Sequence, residues 1–168
     1  MPRLLALALV TRLALAAPLV GQTADRLGIH GLEPGTSQAA LGERVGQLGG
    51  KLGCHGSTAN SRLGECLASL TRTPDHRSWT LRASMVEGTT AVLILTAPIS
   101  DRDLDRLREQ LIADFGRPNL RNQGTLKSYE WIRSGRMMRL TSNGSGDKRE
   151  VSISLVEGAV LDRLGAES

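Results

Sequence analysis

The sequence predicts an α+β domain in which two helices pack on one face of an antiparallel sheet of about five strands. Two segments repeat apolar residues with helical spacing, and five short segments have the alternation or apolar content of strands. Short turn sequences separate most of these strands, and strands joined in this way pair antiparallel. The helices lie about sixty residues apart, so the chain divides into two loosely similar halves, each a helix followed by a hairpin.

Residues 1–24 have the features of an export signal. Arg3 supplies a positive start, two apolar runs follow, and Ala14-Leu15-Ala16 is a small-x-small site that places cleavage after Ala16, with Ala24 as the second choice. An uncleaved membrane anchor is disfavoured, because Arg12 would lie near the bilayer centre, where insertion costs roughly 2.5–3.5 kcal/mol. No cysteine lies near the cleavage region, which argues against a lipid anchor. Residues 25–168 are therefore predicted to form a single domain, periplasmic or secreted, with no stable membrane span after the signal is removed.

Loss of the leader changes the charge balance. The full chain has 21 basic and 17 acidic residues and a net charge of +4, and removal of Arg3 and Arg12 lowers this charge to +2. So small a net charge does not indicate a nucleic-acid-binding protein.

The first helix is predicted over residues 38–48. Ser37 can cap it, and its apolar residues have i, i+4, i+7 spacing: Leu41, Val45 and Leu48. Two internal glycines weaken it by roughly 1 kcal/mol each relative to alanine, so this helix depends on tertiary packing.

Two cysteines, Cys54 and Cys66, follow this helix. In an exported chain they most simply form a disulfide, with free thiols and metal ligation as the alternatives. Closing a loop of about thirteen residues stabilises a fold by roughly 3 kcal/mol in the chain-entropy model. We therefore predict that residues 50–77 form an ordered loop pinned by the disulfide, with a short helical or extended piece at residues 65–70.

A β-hairpin and the second helix come next. Residues 79–85 alternate from Trp79 to Met85, Glu87-Gly88 provides the turn, and residues 90–96 are apolar on both faces, which is typical of a central strand. The second helix is predicted over residues 101–115, because Ser100 and Asp103 form a pair like a capping box and five apolar residues share one face.

Three further strands are predicted over residues 127–133, 136–142 and 150–156. Ser134-Gly135 joins the first two, and a longer polar turn beginning at Asn143 joins the last two. Asn143-Gly144-Ser145 is a glycosylation sequon, which we interpret as part of this turn. A short strand or helical turn around Val160 ends the chain.

Two short motifs resemble a known group of proteins. Gly35-Thr36-Ser37-Gln38 and Phe115-Gly116-Arg117-Pro118 are similar to motif pieces of small periplasmic domains of the outer-membrane assembly lipoprotein type and of the related β-lactamase-inhibitory proteins. The inhibitors also have a disulfide loop soon after their first helix, where this chain has Cys54 and Cys66. The resemblance implies a helix pair on an antiparallel sheet and a function in binding other proteins. Thr36 stands where the group usually has methionine, and no binding residue is transferred from it.

Catalytic and metal-binding motifs do not emerge from the sequence. Cys54, His55, Cys66 and His76 lack the spacing of a structural zinc site, and the chain has no G-x-S-x-G motif. Residues 46–52 contain three glycines and a lysine, but this segment lacks the hydroxyl residue and the preceding strand of a phosphate-binding loop. We therefore expect a non-enzymatic domain without cofactor or metal.

The candidate partner-binding residues lie on two neighbouring predicted strands: Tyr129, Trp131, Arg133, Arg136 and Arg139. Tryptophan, tyrosine and arginine are over-represented in binding hot spots. The alternation also permits a second interpretation, in which the two aromatic residues face the core and the arginines form the wet side. The predicted function is the binding of an envelope or secreted protein. A small exported enzyme and a binder of a small apolar ligand are the alternatives.

Overall fold

Each half of the chain folds as a helix followed by a four-stranded antiparallel meander. A computed structural model describes residues 26–56, 62–123, 126–146 and 149–165, and the predicted export signal with its cleavage site lies outside these ranges. The first half contains α1 (Gln38–Gln47), β1 (Gly53–Gly56), β2 (Leu63–Leu70), β3 (Trp79–Val86) and β4 (Thr89–Pro98). The second half contains α2 (Asp101–Phe115), β5 (Asn119–Gln123), β6 (Leu126–Arg133), β7 (Arg136–Asn143) and β8 (Glu150–Glu157), and α3 (Gly158–Gly165) follows.

The two meanders join into one antiparallel sheet of eight strands, in the order β1-β2-β3-β4-β8-β7-β6-β5. The last strand of each meander, β4 or β8, lies at the centre, and these two strands pair from Val92↔Val156 to Pro98↔Glu150. The first strand of each meander, β1 or β5, therefore lies at an outer edge.

The main core lies between one face of this sheet and helices α1 and α2. Alternate side chains of each strand point into it, and a fully buried row crosses the four central strands: Leu81, Leu95, Ile153 and Leu140. The helices add apolar side chains from one face each: Leu41 and Val45 of α1, and Leu107 and Leu111 of α2. We call this side of the sheet the helix-covered face.

Both of these helices begin at the residues that the capping pattern predicts. The Ser37 hydroxyl accepts a hydrogen bond from the Ala40 N–H at 3.3 Å, and the Ser100 hydroxyl accepts one from the Asp103 N–H at 3.2 Å. These bonds satisfy N–H groups that lack partners inside the helix. Gly116 ends α2 with a positive φ of 74°, a conformation that glycine adopts without steric strain.

The predicted fold class is wrong in its number of elements and in the make-up of each half. The protein has eight strands and three helices in its described part, instead of two helices on about five strands, and each half contains four strands instead of a hairpin. β1 and β2 occupy the segment predicted as a loop, and β5 occupies a segment predicted as a connection. The four residues of β1, two of them glycine, are all exposed, as are residues 119–122 in β5, so neither strand has an apolar alternation to detect.

The short helix α3 packs away from the main core. Val86, Ala91 and Val160 form a second cluster of buried residues, with Val92 and Leu164 packed against it. Val92 neighbours the core residue Leu93 in β4, so its side chain points to the face opposite the main core. Because Val92 packs against the second cluster, α3 covers a corner of that opposite face. None of the helices in the described ranges is long and apolar enough to cross a membrane.

Candidate functional site

The predicted disulfide is confirmed. Cys54 and Cys66 are bonded across β1 and β2, at directly opposite positions of the register. Cys66 is fully buried in the main core, whereas Cys54 is exposed. The bond ties the edge strand β1 to the sheet, and it is consistent with an oxidising compartment.

Four of the five predicted binding residues lie on the helix-covered face, and three of these four contact α2 or the residue that ends it. Trp131 is 3% exposed, and its indole N–H donates to the Gly116 carbonyl at 2.8 Å. Arg133 donates to the carbonyl of Phe115, and the half-buried Tyr129 receives a hydrogen bond from Arg108 at 3.3 Å. These side chains therefore hold the end of α2 against β6.

The other two residues are separated by the sheet itself. Arg136 is on the helix-covered face and forms an ion pair with Glu157. Arg139 is on the opposite face, where its Nε lies 2.7 Å from a carboxylate oxygen of Glu130. The structure therefore does not bring the five predicted residues together on one surface.

The opposite face of the sheet is covered at one corner by α3, and we call the rest the uncovered face. Its side chains alternate with those of the core, and cross-strand pairing arranges them in three rows. The first row is apolar and crosses β4, β8, β7 and β6. It begins at Val92, which packs against the cluster under α3, and continues across the uncovered face with Val156, Met137 and Ile132. Ile132 is 56% exposed, and the other three are half-buried.

The second row combines apolar and charged side chains: Leu67, Arg82, Ile94, Ser154, Arg139 and Glu130. The third row consists of hydroxyl residues on six adjacent strands: Ser69, Thr80, Thr96, Ser152, Thr141 and Ser128. Short hydroxyl side chains give this part of the face little relief beside the larger residues of the other two rows.

Glu130 carries a buried charge on this face. It is 1% exposed, and its two carboxylate oxygens lie 2.7 Å from the Nε atoms of Arg139 and Arg121. A buried carboxylate requires such partners, because desolvation penalises its charged form. Two guanidinium groups on one carboxylate leave one positive charge at this end of the face.

Sequence reasoning missed the uncovered face because each strand contributes at most two apolar residues to it. The sequence places Val92 and Ile94 on a strand that is apolar on both faces, and this is the one signal of the face that it contains. The alignment of Val92 with Val156, Met137 and Ile132 depends on strand order and register, which single-strand patterns do not contain.

A second polar cluster lies on the helix-covered side, around Asp75. Its carboxylate accepts hydrogen bonds from Thr73 at 2.7 Å and from the Trp79 indole at 3.2 Å, and it pairs with Arg77 at 3.0 Å. Burial raises the pKa of Asp75, but these bonds and the nearby His30 outweigh it and hold that pKa below its usual value. Asp75 is therefore a structural centre that orients three neighbours.

His30 is the histidine of this cluster, and its side chain is 9% exposed. Its Nε2 lies 3.7 Å from Asp75, its ring packs edge-on against Trp79, and its φ is 53°. Burial lowers the pKa of His30 more than Asp75 raises it, and Arg44 and Arg77 lower it further. The neighbouring hydroxyl, on Thr73, donates to Asp75 and to the Arg77 carbonyl, so these residues do not form a Ser-His-Asp type of triad.

Within the described ranges, no group of three or more histidine, cysteine, aspartate or glutamate side chains is placed to hold a metal ion. A cavity of about 490 Å³ lies between α3 and the ends of β1–β3. Apolar residues of the second cluster line it, and His55, Glu65 and Ser84 stand side by side in register at its polar edge.

Comparison of the chain with protein-family models, with curated proteins and with solved structures finds no match in any of the three.

Proposed function

We propose that this protein is an exported, non-enzymatic domain that binds an envelope or secreted protein through the uncovered face of its sheet. The observation that carries the proposal is the continuous apolar row from Val92 to Ile132, flanked in the next row by Arg82 and Arg139. The leader-like residues 1–24 and the disulfide support export.

The dimensions of the face suit a protein partner. Six strands of eight or more residues span roughly 24 Å by 26 Å, from the usual strand spacing and rise, and α3 covers one corner of this area. That is close to the area of about 800 Å² per partner that a standard protein interface buries, once the two edge strands extend it. The apolar row, in which Ile132 is exposed and the other side chains are half-buried, also has the apolar composition of an interface centre.

The charges on this face specify the partner further. Arg82 is exposed between Leu67 and Ile94, and Arg121 and Arg139 together outweigh the single charge of Glu130. A complementary partner surface therefore has an apolar centre with carboxylates around it.

The test uses photo-crosslinking followed by affinity measurement. A photoreactive amino acid at Ile132 should crosslink a protein in the cell envelope, whereas the same group at Arg106, exposed on α2, should not. With that partner purified, Arg82→Glu combined with Ile132→Glu should weaken binding at least tenfold, because apolar burial is lost and a charge is reversed. Arg106→Glu is the matched control and should keep the native affinity.

Two results would contradict this proposal. Identical crosslinks from Ile132 and Arg106 would show that the uncovered face has no selectivity. Native affinity in the Arg82→Glu/Ile132→Glu variant would show that the partner binds elsewhere.

A second candidate function, the binding of a small apolar ligand, is favoured by the cavity beneath α3. Its volume of about 490 Å³ falls within the usual range for small-molecule sites, and its lining is apolar with a polar edge. Leu161→Trp would place a larger side chain in the cavity and should weaken fluorescence enhancement of a small apolar dye without changing partner binding at the uncovered face.

A further inference from the structure

We propose that β5 accepts an extended acidic segment of the partner protein as an additional strand of the sheet. This proposal deepens the proposed function, because it names the chemistry of the partner, but it uses a different surface. β5 pairs with β6 from Asn119↔Glu130 to Gln123↔Leu126 and is the terminal strand of the sheet on that side. The outer side of an edge strand presents N–H and C=O groups that another extended chain can pair with.

The two edges of the sheet differ in how they are protected. At the other edge, β1 has four residues, two of them glycine, and the disulfide fixes it to β2. β5 has neither glycine nor a covalent tie, and its exposed residues include Leu120. β5 is therefore the better template for an incoming strand.

Leu120 supplies an apolar contact for such a strand. It is 67% exposed, the highest value among the large apolar side chains of the described residues. It stands opposite Tyr129, on the helix-covered face. An apolar residue of an added strand would lie directly beside it and remove both side chains from water.

The charge around this edge selects an acidic segment. Residues 116–130, which include β5 and its partner segment of β6, contain three basic side chains, Arg117, Arg121 and Lys127, and one acidic side chain, Glu130. Glu130 is buried and already held by Arg121 and Arg139, whereas Arg121 itself remains 61% exposed. Carboxylates of an incoming strand therefore meet an excess of positive charge.

The same charges disfavour a second copy of this chain as the occupant. Antiparallel pairing of two β5 strands about their middle residue would place Arg121 opposite its own copy, and like charges directly opposite each other destabilise a sheet. The expected segment instead has an apolar residue beside Leu120 and an acidic residue beside Arg121, on opposite faces of the added strand.

The test uses two synthetic nine-residue peptides with capped ends and a fluorescent label, one alternating valine and glutamate and the other valine and lysine. The glutamate peptide should bind at least tenfold more tightly than the lysine peptide by fluorescence anisotropy, and raising the salt concentration should weaken it. Its binding should also slow amide hydrogen exchange in residues 119–123. Two further glutamate peptides carry N-methyl groups on one or the other set of alternate nitrogens. Only the peptide whose methylated nitrogens face β5 should lose binding, because those amides pair with β5.

Variants separate the edge from the uncovered face. Leu120→Glu should reduce binding of the glutamate peptide at least tenfold, and Ile132→Glu, on the adjacent strand but the opposite face, should not. Circular dichroism checks that each variant is folded. If Leu120→Glu does not fold, Arg117→Glu is used in its place. Equal affinity for the two peptides, or unchanged exchange in residues 119–123, would overturn the proposal. After either of these results, the affinity of the partner crosslinked at Ile132 is measured for the Arg82→Glu/Ile132→Glu variant. A loss of affinity there would show that the proposal for β5 has failed while the proposal for the uncovered face stands.

Discussion

At the scale of single residues, burial decides what the aromatic and charged side chains of β6 do. Tyr129, Trp131 and Arg133 alternate with Glu130 and Ile132, so the sequence separates them correctly into two groups. It does not say which group faces the helices. The hydrogen bond from Trp131 to Gly116 identifies that side and leaves Glu130 and Ile132 on the uncovered face. Glu130 is nonetheless buried there, between Arg121 and Arg139.

His30 leads to a prediction about pH. Its pKa is lowered in the folded protein, chiefly by burial, so the unfolded chain binds more protons as the pH falls below the usual value of 6.5. Burial of neutral His30 makes its full contribution to the free energy of unfolding above pH 6.5, and this contribution is lost as the pH falls towards the lowered pKa. The free energy of unfolding, measured with urea, should therefore decrease between pH 7 and pH 5. His30→Asn should make this decrease smaller, since asparagine tolerates the left-handed conformation and does not titrate.

His76→Asn is the matched control for this experiment. His76 has a φ of 56°, close to that of His30, but its side chain is exposed. This variant should keep the native change in stability between pH 7 and pH 5. An unchanged pH dependence in His30→Asn would show that burial of His30 does not contribute to it.

At the scale of elements, those with internal periodicity could be predicted. The strand β3, the helix α2 and the strand β8 were placed within a residue or two, because each has a regular apolar pattern and clear end signals. β2 carries its buried face on Cys66, Ala68 and Leu70, of which two are small and weakly apolar. β1 and β5 exist because a neighbouring strand offers hydrogen bonds, which no pattern within their own four or five residues reveals.

The edge strand β1 supplies the prediction at this scale. Replacing the disulfide by Cys54→Ser and Cys66→Ala should lower the free energy of unfolding by about 2–4 kcal/mol, because the unfolded chain loses a constraint. Alanine is chosen for Cys66 since that position is buried among apolar residues. Urea unfolding measures the loss. Hydrogen exchange should at the same time become fast in residues 53–56 while β3, β4 and β8 stay protected.

The native protein kept in a reductant is the control for the effect of the substitutions. Its free energy of unfolding and its hydrogen exchange should match those of the variant with Cys54→Ser and Cys66→Ala. Slow exchange of residues 53–56 in both samples would show that β1 is held by its backbone pairing alone.

At the scale of the whole molecule, the sheet depends on a contact between distant parts of the chain. β4 and β8 lie side by side at the centre, although α2 and three strands separate them in sequence. The sequence predicted the β3–β4, β6–β7 and β7–β8 hairpins because local turns determine them, but it missed the pairings of β1, β2 and β5, and the central pairing is non-local. It is also what brings Val92 and Ile132 into one row, so the candidate site could not be predicted without it.

This central pairing should make the two halves unfold together. Leu93 and Leu95 of β4 pack with Ile153 and Leu155 of β8 in one core, so neither meander can lose its central strand without exposing the other. The only two tryptophans of the chain report on separate halves, Trp79 on the first and Trp131 on the second. In Trp131→Phe, the fluorescence of Trp79 and the far-ultraviolet circular dichroism should therefore give the same urea midpoint, and the same should hold for Trp131 fluorescence in Trp79→Phe. Comparing two signals within each variant removes the effect of the substitution on stability itself. A fluorescence midpoint that differs from the dichroism midpoint in either variant would show that one meander remains folded after the other has unfolded.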